Sequence, residues 1–318
     1  MITVIIVNWN GGHLLLQCLR DLLRQSYQPT RILIMDNGSS DGSAEQAAQL
    51  PGVTVRLLGQ NFGFAGGNNR AFSECDTEYV ALLNPDAFPE PDWLEKLVAA
   101  AESDPEVAAF GSRQMVYGAE NVVDGFGDVY HISGLVWRDG HGHAFRDSDI
   151  TTREIFSPCA GAALYRRDAV LNVGGFDTDY FCYVEDVDLG FRLRLAGYRA
   201  MYVPDAVVHH VGSATTGGAH SDFCLYHGHR NLVWTFVKNM PGILFWLMLP
   251  LHVLLNLVSI VWFTFRGSGQ EILRAKRDAL LGLPKMWRKR QEIQKHRVVS
   301  VGAIWRVLDK HMFRGRRN

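Results

Sequence analysis

The chain has 318 residues, 47% of them hydrophobic and 20% charged, with a formal net charge of −1. That balance excludes a disordered or collagen-like chain and leaves room for one large domain or two. The small net charge hides an asymmetry: residues 266–318 carry 15 Lys+Arg against 4 Asp+Glu, while the 265 residues before them carry 17 against 29. An acidic body with a basic end is an interaction pattern, open to nucleic acid or anionic lipid. The five cysteines (Cys18, Cys75, Cys159, Cys182, Cys224) form no CxxC pair and read as reduced core residues of a cytosolic chain. Met1 to Val7 is too short for a signal peptide and reads as a first strand.

In chain order, Ile2–Val7 is an apolar β-branched run broken by Asn8-Trp9-Asn10-Gly11-Gly12. Leu14–Leu23 has helical spacing, and Arg31–Met35 is a second strand ended by the turn-forming Asp36-Asn37-Gly38-Ser39-Ser40-Asp41-Gly42. Ser43–Leu50 reads as helix, Val53–Leu58 as strand and Asn61–Gly67 as a glycine-rich loop. Asn68–Cys75 suits a helix, Tyr79–Leu83 a strand and Asp92–Ser103 a helix. This alternation predicts a parallel sheet with helices on both faces and a ligand beyond the carboxyl ends of the strands. Asn8 to Asn10, Asp36, Asn61 to Asn69 and Asn84-Pro85-Asp86 all fall at those ends, a pattern that suits a nucleotide pocket. Residues 112–156 are irregular and read as an insertion or lid. Order returns at Ala162–Arg166 and in the helical pattern Val184–Ala196.

Three places could carry chemistry. Glu185, Asp186 and Asp188 cluster at the start of a helix, among Phe181, Tyr183 and Leu189. Acids there either favour the helix dipole or, if desolvated, approach the range useful to a general base. Asp86 is a hard oxygen ligand suited to Mg²⁺ or Mn²⁺, but Asn-Pro-Asp is also ordinary turn chemistry. His209 and His210 follow one another at the end of a short strand, so only one of them can face a site.

The motifs MDNGSSDGS (35–43), NFGFAGGNN (61–69), LLNPDA (82–87), GGFDTDYF (174–181), VEDVDLGFRLRLAGY (184–198) and HHVGSAT (209–215) occur in that order. Together they resemble the family 2 glycosyltransferases, especially the bacterial rhamnosyltransferase-like branch, over residues 2–240. The resemblance implies the GT-A fold, an α/β architecture with a Rossmann-like, mostly parallel sheet flanked by helices. It divides the chain into a transferase domain at 1–240 (nucleotide-sugar half 1–111, acceptor half 112–240) and an apolar helix with a basic amphipathic tail at 241–318. It implies inversion at the donor sugar, with Asp186 as general base and Glu185 beside it. Asn8, Trp9, Asn10 and Asp36 would line the base and ribose pocket; Asn61, Gly63, Gly67 and Asn68 would let backbone approach the donor, with Arg70 near its phosphates. Asp86 would match the metal-binding aspartate of a DxD-type motif with Asn84 at its first position, and His210, with His209 as the alternative, would complete the site for Mg²⁺ or Mn²⁺. Asp177 would touch the acceptor or support the base. The donor would be a dTDP- or UDP-linked sugar and the acceptor a glycan, lipid-linked or on the cell surface. A sugar nucleotidyltransferase would want a basic residue in the first loop, which has none, and a non-catalytic glycan-binding protein would have lost its acids. The Gln-x-x-Arg-Trp motif of processive synthases is absent.

Ile243–Phe265 carries no formal charge over its length and would cover about 35 Å as a helix. A single span would put the basic end outside, against the positive-inside rule. A segment lying on or dipping into the inner leaflet fits better; a span, a buried helix or an oligomer contact are the other readings. The basic, Leu-rich residues 273–297 suit anionic lipid, and their place beside the most lipid-like segment makes nucleic acid a poorer partner. The expected location is the cytoplasmic face of the inner membrane.

Overall fold

The computed structural model describes residues 1–212 and 221–311; Ser213 to Thr215 of the HHVGSAT motif lie outside the described residues. The first half runs β1 (Ile2–Asn8), α1 (Gly12–Leu22), β2 (Arg31–Asp36), α2 (Ser43–Ala47), β3 (Val53–Leu57), α3 (Gly63–Glu74), β4 (Tyr79–Leu83), β5 (Ala87–Pro89), α4 (Trp93–Ser103) and β6 (Val107–Val116). The 112–156 segment adds short strands β7 (Val123–Gly125), β8 (Asp128–Tyr130), β9 (Val136–Arg138) and β10 (Arg153–Glu154). Then follow β11 (Ala162–Arg166), α5 (Arg167–Asn172), α6 (Glu185–Leu195) and β12 (Arg199–His210). Four helices close the chain: α7 (Asp222–Asn239), α8 (Gly242–Phe265), α9 (Gly269–Lys295) and α10 (Val301–Val307).

Ten strands make one sheet, ordered β10-β12-β6-β11-β4-β1-β2-β3, with β5 on β12 and β7 on β6. It is parallel from β4 through β3 and again between β6 and β12. β11 enters antiparallel between β4 and β6 and joins the two parallel parts, a strand that the alternating pattern alone does not reveal. β1 is buried on both faces, as a central parallel strand should be. Ile2, Val4 and Ile6 pack on one side with Leu15 and Leu19 of α1, and Ile5 packs on the other with Ala65 and Phe72 of α3. A third core joins Val187 and Phe191 of α6 to Trp234 and Phe236 of α7 and to Met286 of α9.

The stretch 61–67 is a loop only at its start, because α3 begins at Gly63. Its small residues serve packing: a Cβ on Gly67 would lie 2.8 Å from Val7 Cγ1, so glycine there lets the helix press on β1. α8 is the long apolar helix, with a mean hydropathy of 2.1 over its most apolar stretch. Leu244, Phe245 and His252 are buried, while Trp246, Leu247, Leu254, Leu257, Val261 and Trp262 stand more than half exposed.

Candidate active site

Register brings the polar strand ends together. Asn8 pairs with Asp36 across β1 and β2, and β4 runs beside β1, so the loop bearing Asn84 and Asp86 emerges next to both. β5 runs antiparallel to β12 and sets His210 against Ala87, one residue past Asp86. His210 Nε2 consequently lies 3.3 Å from Asp86 Oδ1, with Asn84 Nδ2 at 3.4 Å. His209, one residue back, points the other way and meets Glu90 at 3.2 Å on the outside. This alternation is the two-residue period of a strand, and it puts His210, not His209, in the site.

These residues line a cavity of about 1000 Å³ between the strand ends and the helices α6 and α7. Of the residues expected from sequence, Trp9, Asn61, Gly63, Asn84, Asp86, Glu185, Asp186 and His210 line it. Asp86 and Asp186, a hundred positions apart, share this one space.

The remaining expectations do not reach it, each for a visible reason. Asn8 is fully buried and donates from Nδ2 to Asp36 Oδ1 (2.8 Å) and to the Ser39 and Ser43 hydroxyls. Asp36 also accepts from the Ser39 hydroxyl and from the backbone of Gly38 and Ser39. Asn10 accepts from the Ser40 backbone. These three tie the loops after β1 and β2 to one another and are not among the residues that line the cavity. Asn68 caps back onto the Phe64 carbonyl, and Arg70 lies over the Phe62 ring, 3.4 Å from its centroid, and donates to the Gly66 carbonyl. Asp177 is claimed by Lys238 at 2.6 Å and by Lys289. It belongs to a buried ion network, shared through Lys238 with Asp188, that locks α6 to α7 and α9.

Sequence reading missed Asn37, Asp124, Asp128 and Arg138. Asn37 lines the cavity and donates to the Gly63 carbonyl. Asp124 accepts from His210 Nδ1 at 2.8 Å and is itself paired with Arg138. Asp128 and Arg138 line the same cavity as Asp186, close enough for their charges to act on it and on one another. Asn37 sits within the MDNGSSDGS motif, where Asp36 was singled out instead; the other three lie in the irregular insertion, where no motif or periodicity marks them.

The electrostatics separate two centres. At the first, burial would lower His210, but hydrogen bonds to Asp124 and Asp86 push it up to about 9. The pair of carboxylates is built to hold positive charge between them. Asp124 on Nδ1 also fixes the ring so that Nε2 faces Asp86 and the cavity. Asp86 Oδ1 and His210 Nε2 suit Mn²⁺ or Mg²⁺ if a bound diphosphate and water supply the other ligands. Among the described residues no group of three or more His, Cys, Asp or Glu could hold an ion alone.

At the second centre, Asp128, Glu185 and Asp186 share one wall. Burial, and then the Asp186 charge, push Glu185 and Asp128 well above the usual carboxylate range. Glu185 Oε2 is buried with no hydrogen-bond partner. Burial also raises Asp186, but the backbone N–H groups of Ala160 (3.1 Å) and Val187 (2.8 Å) donate to its two oxygens and pull it back. Asp186 is therefore the acid of the three best able to stay ionised.

A tense loop delivers these acids. Phe181, Tyr183 and Val184 all have positive φ (66, 64 and 69°) just before α6. Asn231 of α7, fully buried, holds that loop by donating to the carbonyls of Tyr180 (3.1 Å), Cys182 (3.0 Å) and Tyr183 (2.8 Å).

A relative in Mycobacterium tuberculosis (strain ATCC 25618 / H37Rv), N-acetylglucosaminyl-diphospho-decaprenol L-rhamnosyltransferase, is 30% identical over 250 residues, covering 71% of this chain and 81% of its own. Poly-beta-1,6-N-acetyl-D-glucosamine synthase of Staphylococcus aureus (strain N315) is 24% identical over 82% of this chain and 62% of its own. In fold, the chain is similar to mannosyltransferase PcManGT from Pyrobaculum calidifontis, solved with GDP-Man and Mn²⁺ (TM-score 0.56, 20% identity, 95% of this chain and 85% of that one). It is also similar to GalNAc-T7, solved with UDP, GalNAc and Mn²⁺ (TM-score 0.60, 14% identity, 75% of this chain), and spans 48% of that longer protein. The architecture is the GT-A fold of glycosyltransferases. With the model for "Glycosyl transferase family 2" matching residues 3–174, the chain belongs to glycosyltransferase family 2.

Proposed function

We propose that the chain is an inverting, metal-dependent transferase that moves a sugar from a nucleoside-diphosphate donor to a hydroxyl of a lipid-linked glycan. The observation that carries this is the convergence of Asp86 with His210 and of Asp186 on one cavity. A divalent ion held by Asp86, His210 and the donor diphosphate would supply charge stabilisation for the leaving group. Asn37, Asn61 and Trp9 bind the nucleotide side, and Asp186 takes the proton of the acceptor hydroxyl as it attacks from the opposite face. A single displacement then inverts the anomeric carbon. Burial and the Asp186 charge raise Glu185 and Asp128, which favours their protonated form as donors to acceptor oxygens. Rhamnose, from a dTDP- or UDP-linked donor, is the sugar favoured by the 30% identical relative, whose name also supports a lipid-diphosphate acceptor.

The same reading places the enzyme on the cytoplasmic face of the inner membrane. One face of α8 is exposed and apolar while the other packs on α7, α9 and α10, and α9 is highly charged. A helix so covered suits lying in the interface better than crossing it. Leu273, Leu280 and Leu281, with exposed Arg274, Arg277 and Arg288, extend this surface along α9. Pairing of two copies through α8 is the competing use of that stripe.

The test is turnover against a panel of nucleotide sugars, with and without chelator, in wild type and Asp186→Asn. Release of nucleoside diphosphate should need the metal and fall about 10²–10⁴-fold in the variant while donor binding survives. Unchanged turnover in Asp186→Asn removes it as the base.

A further inference from the structure

α8 is uncharged and mostly apolar, yet it buries a histidine, His252, which is only 3% exposed. A polar ring in such a place must find partners, and both of its nitrogens do. Nδ1 lies 2.7 Å from the Ser133 carbonyl oxygen, and Nε2 lies 3.2 Å from Asn256 Nδ2, one turn further along α8. The same Nδ2 donates to the His252 carbonyl at 2.7 Å. An amide nitrogen can only donate, so Nε2 accepts from it and Nδ1 carries the proton that goes to Ser133. The ring is thus neutral and held in one tautomer. It stacks on Phe236 of α7, with centroids 4.0 Å apart and 3° between the planes.

Ser133 lies in the turn between β8 and β9, where Asp128 is paired with Arg138 and Tyr130 with Val136. Each strand has three residues, and a hairpin so short does not hold its place unaided. At its open end the Asp128 N–H donates to the Ser157 carbonyl (2.8 Å), and the Ser157 hydroxyl donates to Asp128 (3.2 Å). At its turn it is held from the C-terminal part of the chain. Asp309, just past α10, bonds through its backbone to Tyr130 (2.9 Å) and Ile132 (3.0 Å), and His252 takes Ser133. The turn is shaped for that approach: Gly134 has a φ of 83°, and a Cβ there would lie 2.7 Å from His252 Nδ1.

The hairpin is also part of the site. Asp128, Val136, Trp137 and Arg138 line the cavity that holds Asp186. Asp128 feels the Asp186 charge and Asp186 that of Arg138, so this wall stands beside the base, where an acceptor hydroxyl must come. Resting on the transferase reading above, we infer that His252 is a positioning residue for the acceptor: through Ser133 it fixes β9, with Val136 and Trp137, in the cavity wall.

The experiment follows hydrogen–deuterium exchange over residues 129–137 of the full chain. It then measures steady-state kinetics with dTDP-rhamnose as donor and N-acetylglucosaminyl-diphospho-farnesol as probe acceptor. His252→Leu keeps apolar bulk but loses the donor, so exchange in the hairpin should quicken on the order of 10-fold and the acceptor KM should rise by a similar factor. The donor KM should stay within about twofold, whereas a merely structural loss would shrink the folded fraction and lower kcat with both KM values in place. His252→Asn returns an N–H close to the place of Nδ1 and should recover most of the acceptor KM. Gly134→Ala presses on the same contact from the turn; it should raise the acceptor KM too, and it carries the test if His252→Leu does not fold. Unchanged exchange in the hairpin, or a fall in kcat alone, overturns the inference. The two readings fail separately: if the wild type does not turn over this pair, the substrate assignment falls, while exchange at 129–137 still judges the hold of His252 on the hairpin.

Discussion

Replacing Asn231 by alanine should unfasten the catalytic acids. Its amide is fully buried and serves three carbonyls of the loop at 180–183. Three residues of that loop region sit at positive φ without being glycine, one of them the β-branched Val184. Each such residue costs about 1–2 kcal/mol, so the loop gains by relaxing once the amide is gone. The lost bonds contribute about 1 kcal/mol each, and buried carbonyls left unpaired cost about 1–3 kcal/mol more. A stability loss of about 2–4 kcal/mol follows, measured by urea unfolding. Because Glu185 and Asp186 directly follow the loop, turnover should fall by about 10²-fold, the effect of a displacement near 1 Å. Binding of nucleoside diphosphate should change less than turnover, the Phe181 carbonyl of this loop, which accepts from the Ala65 N–H of α3, being, among the described residues, its one backbone tie to that side. Asn231→Asp separates volume from donation: it keeps the size, and the oxygen that accepts from Arg230, but loses the donors. It should be at least as damaging as alanine. An aspartate variant with wild-type stability, or an alanine variant with unchanged turnover, would refute the reasoning.

Asp177→Asn should lower stability without altering the acceptor KM, because its carboxylate meets Lys238 and Lys289 and not the cavity. Burial alone would raise Asp177 and Asp188, but Lys238, with Lys289 and Arg192, holds both below the ordinary carboxylate value. A depressed folded-state pKa stabilises above the unfolded value of about 4 and is lost as pH falls below it; urea midpoints from pH 7 to pH 3 should show that loss in wild type and less of it in Asp177→Asn. Asp124→Asn should weaken Mn²⁺-dependent binding of nucleoside diphosphate by about 10–100-fold, read by calorimetry, because His210 loses the charged partner that orients it. An unchanged affinity would show that the Asp124 contact is idle. Leu254→Asp with Leu257→Asp should abolish sedimentation with anionic liposomes and leave nucleotide binding intact, as both side chains are more than half exposed.

The strands of the sheet were legible because they follow from local rules, whereas Asp86 and His210 were singled out only through the motifs' resemblance to a known family. Apolar β-branched runs gave β1, β2 and β4, and polar residues after each run marked the edge where the cavity opens. The same rule overreached at Asn8, Asn10 and Asp36. A polar side chain at a strand end can face a ligand or satisfy a neighbouring loop, and composition does not separate the two. Here Ser39 and Ser43 return from the next loop to take those hydrogen bonds. At Asp177 the missing information was more distant. Its partners Lys238 and Lys289 are 61 and 112 residues away, the second on a helix read as part of a separate, lipid-facing tail. Several of that tail's basic residues are engaged by the protein itself: Lys285 and Lys289 pair with Asp179, the first at the surface, and buried Arg290 donates to the carbonyls of Val237 and Met240.

The asymmetry between the two sides of the cavity has one physical origin. The donor side rests on backbone register, which a parallel sheet fixes to the residue, so a strand pattern places Asp86 and, through β5 and β12, His210. The acceptor side rests on side chains reaching between helices: Asn231 to the loop before α6, Lys238 to Asp188, Arg194 of α6 to the carbonyl of Phe156. Those contacts depend on helix packing, which single-chain periodicity does not encode. Asp186 illustrates the division. Its helix and its neighbours are readable, but its role depends on which of three adjacent acids stays charged. Two backbone N–H groups favour its charge: that of Val187 next to it, and that of Ala160, 26 residues away in the turn ahead of β11, and the second is invisible to a local reading of the sequence.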